Sequence, residues 1–185
     1  MAVRRVKALQ FIFFFGYGST MPFLGVILSN LLAQTGDSSV MLRLGFLLFI
    51  YSTVGIFAPP FAGIIGDKFN ISNRLVTTLS MGVLASVLLL LIPSFVGITG
   101  IAALVVFAAA MGMLGLFTRP IVPLLDTASI KALRETTGTG DGYGTVRLFG
   151  SLGWTGAAIL SGYLISLLAD PVYALSIFSI AFLTL

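Results

Sequence analysis

The sequence has no cysteine, no histidine and a single tryptophan in 185 residues. The absence of thiols excludes disulfides and thiolate metal sites. Without imidazole there is no histidine catalysis and no imidazole proton relay within the chain. Charge is scarce as well. Ten Lys and Arg and six Asp and Glu make up 9% of the residues, where a soluble domain carries about 25%. With no His, no Cys and no paired-carboxylate motif, the chain is not read as an enzyme, and neither a metal nor an organic cofactor is expected. What is present is apolar: 58% of the residues are hydrophobic, and mean hydropathy is +1.12. The solvent for most of this surface is lipid, so the chain reads as an all-α integral membrane protein. A net charge of +4 would suggest nucleic acid in a soluble chain. Here it reads as basic loops that orient membrane helices, with no nucleic-acid partner.

Six apolar runs succeed one another, at about 8–32, 40–66, 75–92, 98–126, 143–168 and 172–185. The first follows Arg4, Arg5 and Lys7, as a signal peptide would. Its apolar stretch far exceeds the roughly 7–15 residues of a signal core, and it is expected to stay as a membrane span. The fourth run is too long for one straight helix and is interrupted by Arg119-Pro120 and Pro123, which predicts a kink or a late start. The fourteen residues of the sixth run rise only about 21 Å, short of the roughly 30 Å of a bilayer core. The expectation is a helix cut short, in the N-terminal part of a longer protein. Arg4, Arg5, Lys7, Lys68, Arg74, Lys131 and Arg134 fall on one side and Arg43 on the other. By the positive-inside rule the N-terminus is cytoplasmic, in a plasma membrane (the inner membrane if bacterial).

Ionisable residues inside apolar runs are costly and point to function. Arg147 enters the fifth run, and Trp154 follows seven residues later, two helical turns on and therefore on the same face. Gly150 and Ser151 lie between them, predicting an open shelf beside the backbone. Such a stripe should face a water-filled or ligand-filled interior, unless the arginine is a structural ion-pair member and the tryptophan an interface anchor. Asp126, just past Pro123, is the available counter-charge. Arg119 could contact an anionic solute, snorkel to the interface, or pair with Asp126 around the kink, the arrangement favoured here. Gly18, Pro22, Gly25 and Ser29 form a small-residue face in the first run, as do Ser52, Gly55, Pro59, Ala62 and Gly63 in the second. Gly153, Ala157 and Ser161 form a third, read as a packing device. The glycine-rich stretch 138–144 lacks the Gly-Lys-Ser/Thr of a phosphate loop, and its Asp141 sits in a polar loop.

Two motifs carry a family resemblance. The turn between the second and third runs, with Gly63, Asp67, Lys68 and Arg74, resembles the signature loop of the major facilitator superfamily, with Asn70 where glycine is usual. In that reading Asp67 helps latch one conformation. The second motif begins at Pro123-Leu124-Leu125-Asp126. After a basic loop it continues as Tyr143-Gly144, Arg147, Gly150-Ser151 and Gly153-Trp154. It is similar to the helix 4–5 region of the lactose permease-like branch, which includes proton symporters of oligosaccharides, nucleosides and phenylpropionate. The aromatic first run, Phe13–Leu28, is similar to that branch's first helix.

The resemblance implies an N-terminal six-helix bundle, two inverted three-helix repeats of a twelve-helix fold, with the C-terminal half lying outside this chain. It assigns substrate-holding roles to Asp126, Arg147 and Trp154, to which Arg119 is added as a candidate. It implies a secondary transporter working by alternating access, taking a small organic solute by proton symport, with a sugar or sugar-like solute first. Nucleosides and aromatic acids are the alternatives. A non-transporting structural membrane fragment is the alternative of another class. The partners on this reading are the solute, the bilayer and the C-terminal half. The only coupling agent is a proton gradient.

Overall fold

The computed structural model describes residues 2–35, 39–69, 72–138, 141–168 and 170–185, and of residues 2, 66–69, 72–74 and 137 the backbone alone. Among these residues the α-helices are α1 (Ala2–Thr20), α2 (Leu24–Gln34), α3 (Val40–Phe69), α4 (Ser72–Val96), α5 (Gly100–Thr118), α6 (Ile121–Thr137), α7 (Tyr143–Leu168) and α8 (Tyr173–Leu183). A 3-10 turn, Met21–Phe23, joins α1 to α2. Five stretches are long and apolar enough to cross a membrane: Val3–Gln34, Val40–Ile65, Leu75–Val96, Gly100–Thr136 and Tyr143–Leu168. The shorter α8 is a predominantly apolar helix.

Prolines shape the first and fourth spans differently from the second. Pro22 falls in the 3-10 turn, and Pro120 follows Arg119 in the two-residue break between α5 and α6. A proline removes one backbone donor and crowds the preceding turn, so these are where the helices break. Pro59 and Pro60 instead lie inside an unbroken α3. The largest departure from the sequence expectation is at residues 128–137, read as a polar loop. They are helical, because their polarity is one-sided. Ser129, Ala132 and Leu133 are buried, whereas Lys131, Arg134 and Glu135 are exposed. Gly138 ends this helix with a φ of 74°, and its N–H bonds the Arg134 carbonyl at 3.0 Å, a left-handed cap that glycine adopts without a Cβ clash.

The chain divides into two compact units, one of Met1–Phe23 and Val122–Leu185, the other of Leu24–Ile121. In the first, α1 is the central helix and packs on α7 and α8. The contact with α7 is close because glycines face the opposing backbone. A Cβ on Gly153 would stand 2.5 Å from the Phe11 carbonyl oxygen, and one on Gly18 would stand 2.6 Å from that of Trp154. Phe13, fully buried, meets the Phe182 ring edge-on at 5.5 Å. The Thr20 hydroxyl donates to the Ala174 carbonyl at 3.1 Å. This satisfies a buried polar group at the end of α1, where lipid could not.

In the second unit the central helix is α5, which packs on α3 and α4, with α2 against α3. Gly115 crosses the Tyr51 backbone, where a Cβ would lie 2.5 Å from the carbonyl oxygen. Gly82 leaves room for the ring of Phe117. The core between these helices holds Leu47, Val83, Phe107 and Met111, all fully buried. Large apolar side chains such as Phe49, Phe57, Phe61 and Leu88 point outward, as on a surface solvated by hydrocarbon.

Candidate functional site: a carboxylate–guanidinium pair in the first unit

Three helices of the first unit converge on Asp126. It sits early in α6, where the helix restarted after Pro120 turns its side chain toward α1 and α7. Arg147 on α7 donates from Nη1 to Asp126 Oδ1 at 3.0 Å. Gln10 on α1 donates from Nε2 to the same oxygen at 3.0 Å and lies 3.3 Å from the Ser129 hydroxyl. Ser129 in turn donates to the Leu125 carbonyl at 2.7 Å. One carboxylate thus receives donors from α1 and α7, in charge-assisted bonds about twice as strong as neutral ones.

The pair remains reachable. The side chains of Arg147 and Asp126 are 38% and 27% exposed, so donors of the guanidinium fork and the second carboxylate oxygen can meet a solute. Gln10 is fully buried, and its Oε1 has no partner. The Arg147 guanidinium stands over the Phe14 ring at 4.5 Å from the centroid, which fixes the plane of the fork. Two turns along α7, Trp154 meets Tyr17 edge-on at 5.4 Å, and Tyr17 in turn touches the rings of Phe13 and Phe14. The arrangement is a polar, net-neutral pair flanked by an aromatic wall of α1 and α7.

The open shelf expected at Gly150 is not there. Gly150 is buried, and a Cβ on it would lie 2.8 Å from Phe14 and 3.3 Å from Gln10 Oε1. The space is taken by α1, which the glycine admits close to α7. Ser151 is exposed beside it. Gly153, Ala157 and Ser161 are all buried along the same contact, so this stripe packs helices.

Comparison with known proteins fits this architecture. The description MFS_1 like family matches residues 3–185. The chain belongs to the MFS_1 like family, within the major facilitator superfamily. It is a multi-pass membrane protein. A relative, the Bacillus subtilis (strain 168) "Uncharacterized transporter YwbF", is 30% identical over 183 residues. The alignment covers 96% of this chain and 40% of that protein's length. No solved structure matches significantly.

The other residues singled out in this major facilitator chain are placed as follows. Arg119 belongs to the second unit, where its guanidinium stands over the Tyr51 ring at 4.9 Å from the centroid. Its aliphatic stem lies along Gly55, where a Cβ would be 2.8 Å from Cγ. The counter-ion that Asp126 holds is Arg147. Gly63, Asp67 and Lys68 are carried on α3, which runs to Phe69, and Arg74 on α4, which starts at Ser72. These stand on helices and not in an extended turn, because the first polar residues after Gly63 continue the helix. The side chains of Asp67, Lys68 and Arg74, and Asn70 as a whole, lie outside the described residues. A Cβ on Gly63 would meet nothing within 4 Å.

Sequence reasoning overlooked Gln10. Its signal was available: an amide within an apolar span should seek a polar partner. Gln10, Phe14 and Tyr17 recur at helical spacing on α1 and form the surface on which Arg147 and Trp154 rest.

Proposed function

We propose that this chain carries the solute-binding wall of a secondary transporter. The observation that carries the reading is the Arg147–Asp126 pair, bonded at 3.0 Å, partly exposed and flanked by Trp154. A fixed ion pair with unused donors and acceptors suits hydroxyl groups, which can donate to a carboxylate and accept from a guanidinium. An indole edge and face suit the apolar side of a ring. Because Asp126 neutralises Arg147, a neutral hydroxylated solute is favoured over an anion, which would face the carboxylate. Sugars and sugar-like solutes therefore come first, nucleosides next and aromatic acids last. The relative's name as a transporter supports the class.

The finer reading is a lactose permease-like proton symporter in which two inverted three-helix repeats form one half of a twelve-helix fold. Two features of the chain support the repeats. The first and fourth spans both break at proline, at Met21–Phe23 and at Arg119-Pro120. Each also packs with the other triplet's later helices: α1 with α7 and α8, α5 with α3 and α4. That reciprocal packing is an observation in favour of the repeat reading. The chain spans 40% of its relative's length, so the transporting unit would include a further helical half. With a cytoplasmic N-terminus, Asp67 and its basic neighbours would latch that half in one of the alternating states. Proton coupling would reside in the whole protein.

Uptake by the whole protein in cells or vesicles tests this. A panel of sugars, nucleosides and aromatic acids is offered with and without an uncoupler. Uptake of a neutral sugar that collapses with the uncoupler, and falls at least tenfold in Arg147→Lys and Trp154→Ala, is expected. Unchanged uptake in both variants would remove the site from the transport path.

A further inference from the structure

The face of α1 turned away from the Asp126 pair carries a different chemistry. Arg4, Lys7, Ala8, Phe11, Ile12 and Phe15 share this face at helical spacing, two cations at one end and apolar groups below. Beside them runs a groove of about 670 Å3, with Arg4 and Lys7 at its rim and Phe149 and Leu152 of α7 as its wall. Phe11 and Ile12 also line a second groove of about 370 Å3, which continues between α7 and α8 past Leu160, Ile177 and Ile180. Among the described residues, no carboxylate lines either groove. The Lys7 ammonium stands 5.2 Å from the centre of the Phe149 ring, so the cation is held at the groove and not extended into solvent.

We propose that this face binds one anionic phospholipid, its phosphate against Arg4 and Lys7 and one acyl chain in the groove formed by α1, α7 and α8. Length agrees with the assignment. From Arg4 to Phe15 the helix rises about 16 Å at ~1.5 Å per residue, close to half of a bilayer core of roughly 30 Å. A chain anchored at the basic rim therefore ends near the midplane, in the groove lined by Ile177 and Ile180. Charge selects the headgroup. Two cations without a facing carboxylate attract a net-negative phosphodiester, whereas a zwitterionic headgroup brings its own cation to the same rim. A lysine or arginine near such a headgroup strengthens binding about fivefold, so removing both weakens it about thirtyfold.

The test is native mass spectrometry of the full chain in detergent, titrated with phosphatidylglycerol and, separately, with phosphatidylcholine of the same acyl chains. The expected result is one retained phosphatidylglycerol, bound at least tenfold more tightly than phosphatidylcholine. Arg4→Gln with Lys7→Gln should lose it about thirtyfold, and Ala8→Phe, which fills the groove below an intact rim, should weaken it several-fold. Lys131→Gln with Arg134→Gln, equal charge loss on the exposed face of α6, should change it less than twofold. Equal retention of phosphatidylcholine, equal loss in the α6 variant, no loss in Ala8→Phe, or full displacement by inorganic phosphate would each overturn the proposal. If the Arg4 and Lys7 variant lacks helical circular dichroism, the lipid comparison and Ala8→Phe decide the matter alone.

Discussion

Gly153→Ala and Gly156→Ala differ by one turn of α7 and should have opposite effects. A Cβ on Gly153 would stand 2.5 Å from the Phe11 carbonyl oxygen and 3.1 Å from the Phe15 nitrogen, both backbone atoms of α1. A Cβ on Gly156 would meet nothing within 4 Å. Neither obstacle at Gly153 can rotate aside, so α1 has to move. Overpacking of this kind costs about 1–3 kcal/mol. Both substitutions also gain about 0.8–1 kcal/mol of helix propensity. That gain is common to the two and cancels in their comparison, so the difference between them isolates the clash.

Gly153→Ala should be less stable than Gly156→Ala by about 1–3 kcal/mol. Gly156→Ala itself should equal or slightly exceed the parent, by up to ~1 kcal/mol. The assay is denaturant- or heat-induced loss of helical circular dichroism in one detergent, with all three chains side by side. A functional readout accompanies it. The same helix contact sets Gln10, Phe14 and Tyr17 against Arg147 and Trp154, so Gly153→Ala should lower solute affinity while Gly156→Ala leaves it unchanged. If the two alanine variants unfold together, the α1–α7 backbone contact is not as close as described, and the site built on it loses its support.

Asp126→Asn should destabilise the protein by about 1.5–3 kcal/mol, the range for a hydrogen bond to a charged group. Combining it with Arg147→Gln should recover part of the loss, since the pair is coupled; additive losses in a double-mutant cycle would contradict the 3.0 Å bond. Gln10→Leu should cost little stability, because losing the Nε2 bond is offset by removing the unpartnered Oε1. Gln10→Glu, which faces a second carboxylate toward Asp126, should be clearly worse than Gln10→Leu in thermal unfolding. Gly55→Leu should displace the Arg119 stem, which lies 2.8 Å from the added Cβ, and lower stability by about 1–3 kcal/mol; an unfolding curve identical to the parent would argue against Arg119 resting on Tyr51.

What the sequence made readable follows from which forces act locally. Apolar runs long enough for a bilayer declare themselves by composition, and two opposite charges in such runs call for each other because an unpaired one is costly. The bend near Pro120 and the facing of Arg147 and Trp154 are likewise matters of backbone chemistry and helical period. Three other features depend on which helix lies opposite, and periodicity cannot supply that. Gly150 reads as empty space until Phe14 of α1 is known to fill it. Arg119 has a carboxylate seven residues ahead in sequence, but its ring partner, Tyr51, lies on α3. Residues 128–137 look like a polar loop because a window average hides a buried stripe of Ser129, Ala132 and Leu133.

The placement of Gln10 bears on how the site could change state. Its amide ties α1 to α6 through Asp126, while Arg147 ties α7 to the same oxygen. A solute hydroxyl that donated to Asp126 would compete with both bonds, and its own oxygen could take the guanidinium donors so released. Gln10 Oε1, buried beside Gly150 without a donor, would gain nothing from that exchange unless α1 moved. Solute binding would therefore favour a shift of α1 against α7, along a contact whose glycines leave the two backbones touching. A ligand can shift such an equilibrium only by its difference in affinity between the two arrangements. Substituting Gln10 should for this reason change how strongly solute alters the α1–α7 contact, measurable as the solute-induced change in Trp154 fluorescence. Gln10→Leu should reduce that change even at saturating solute; an unaltered amplitude would mean that the amide positions Asp126 without linking it to α1.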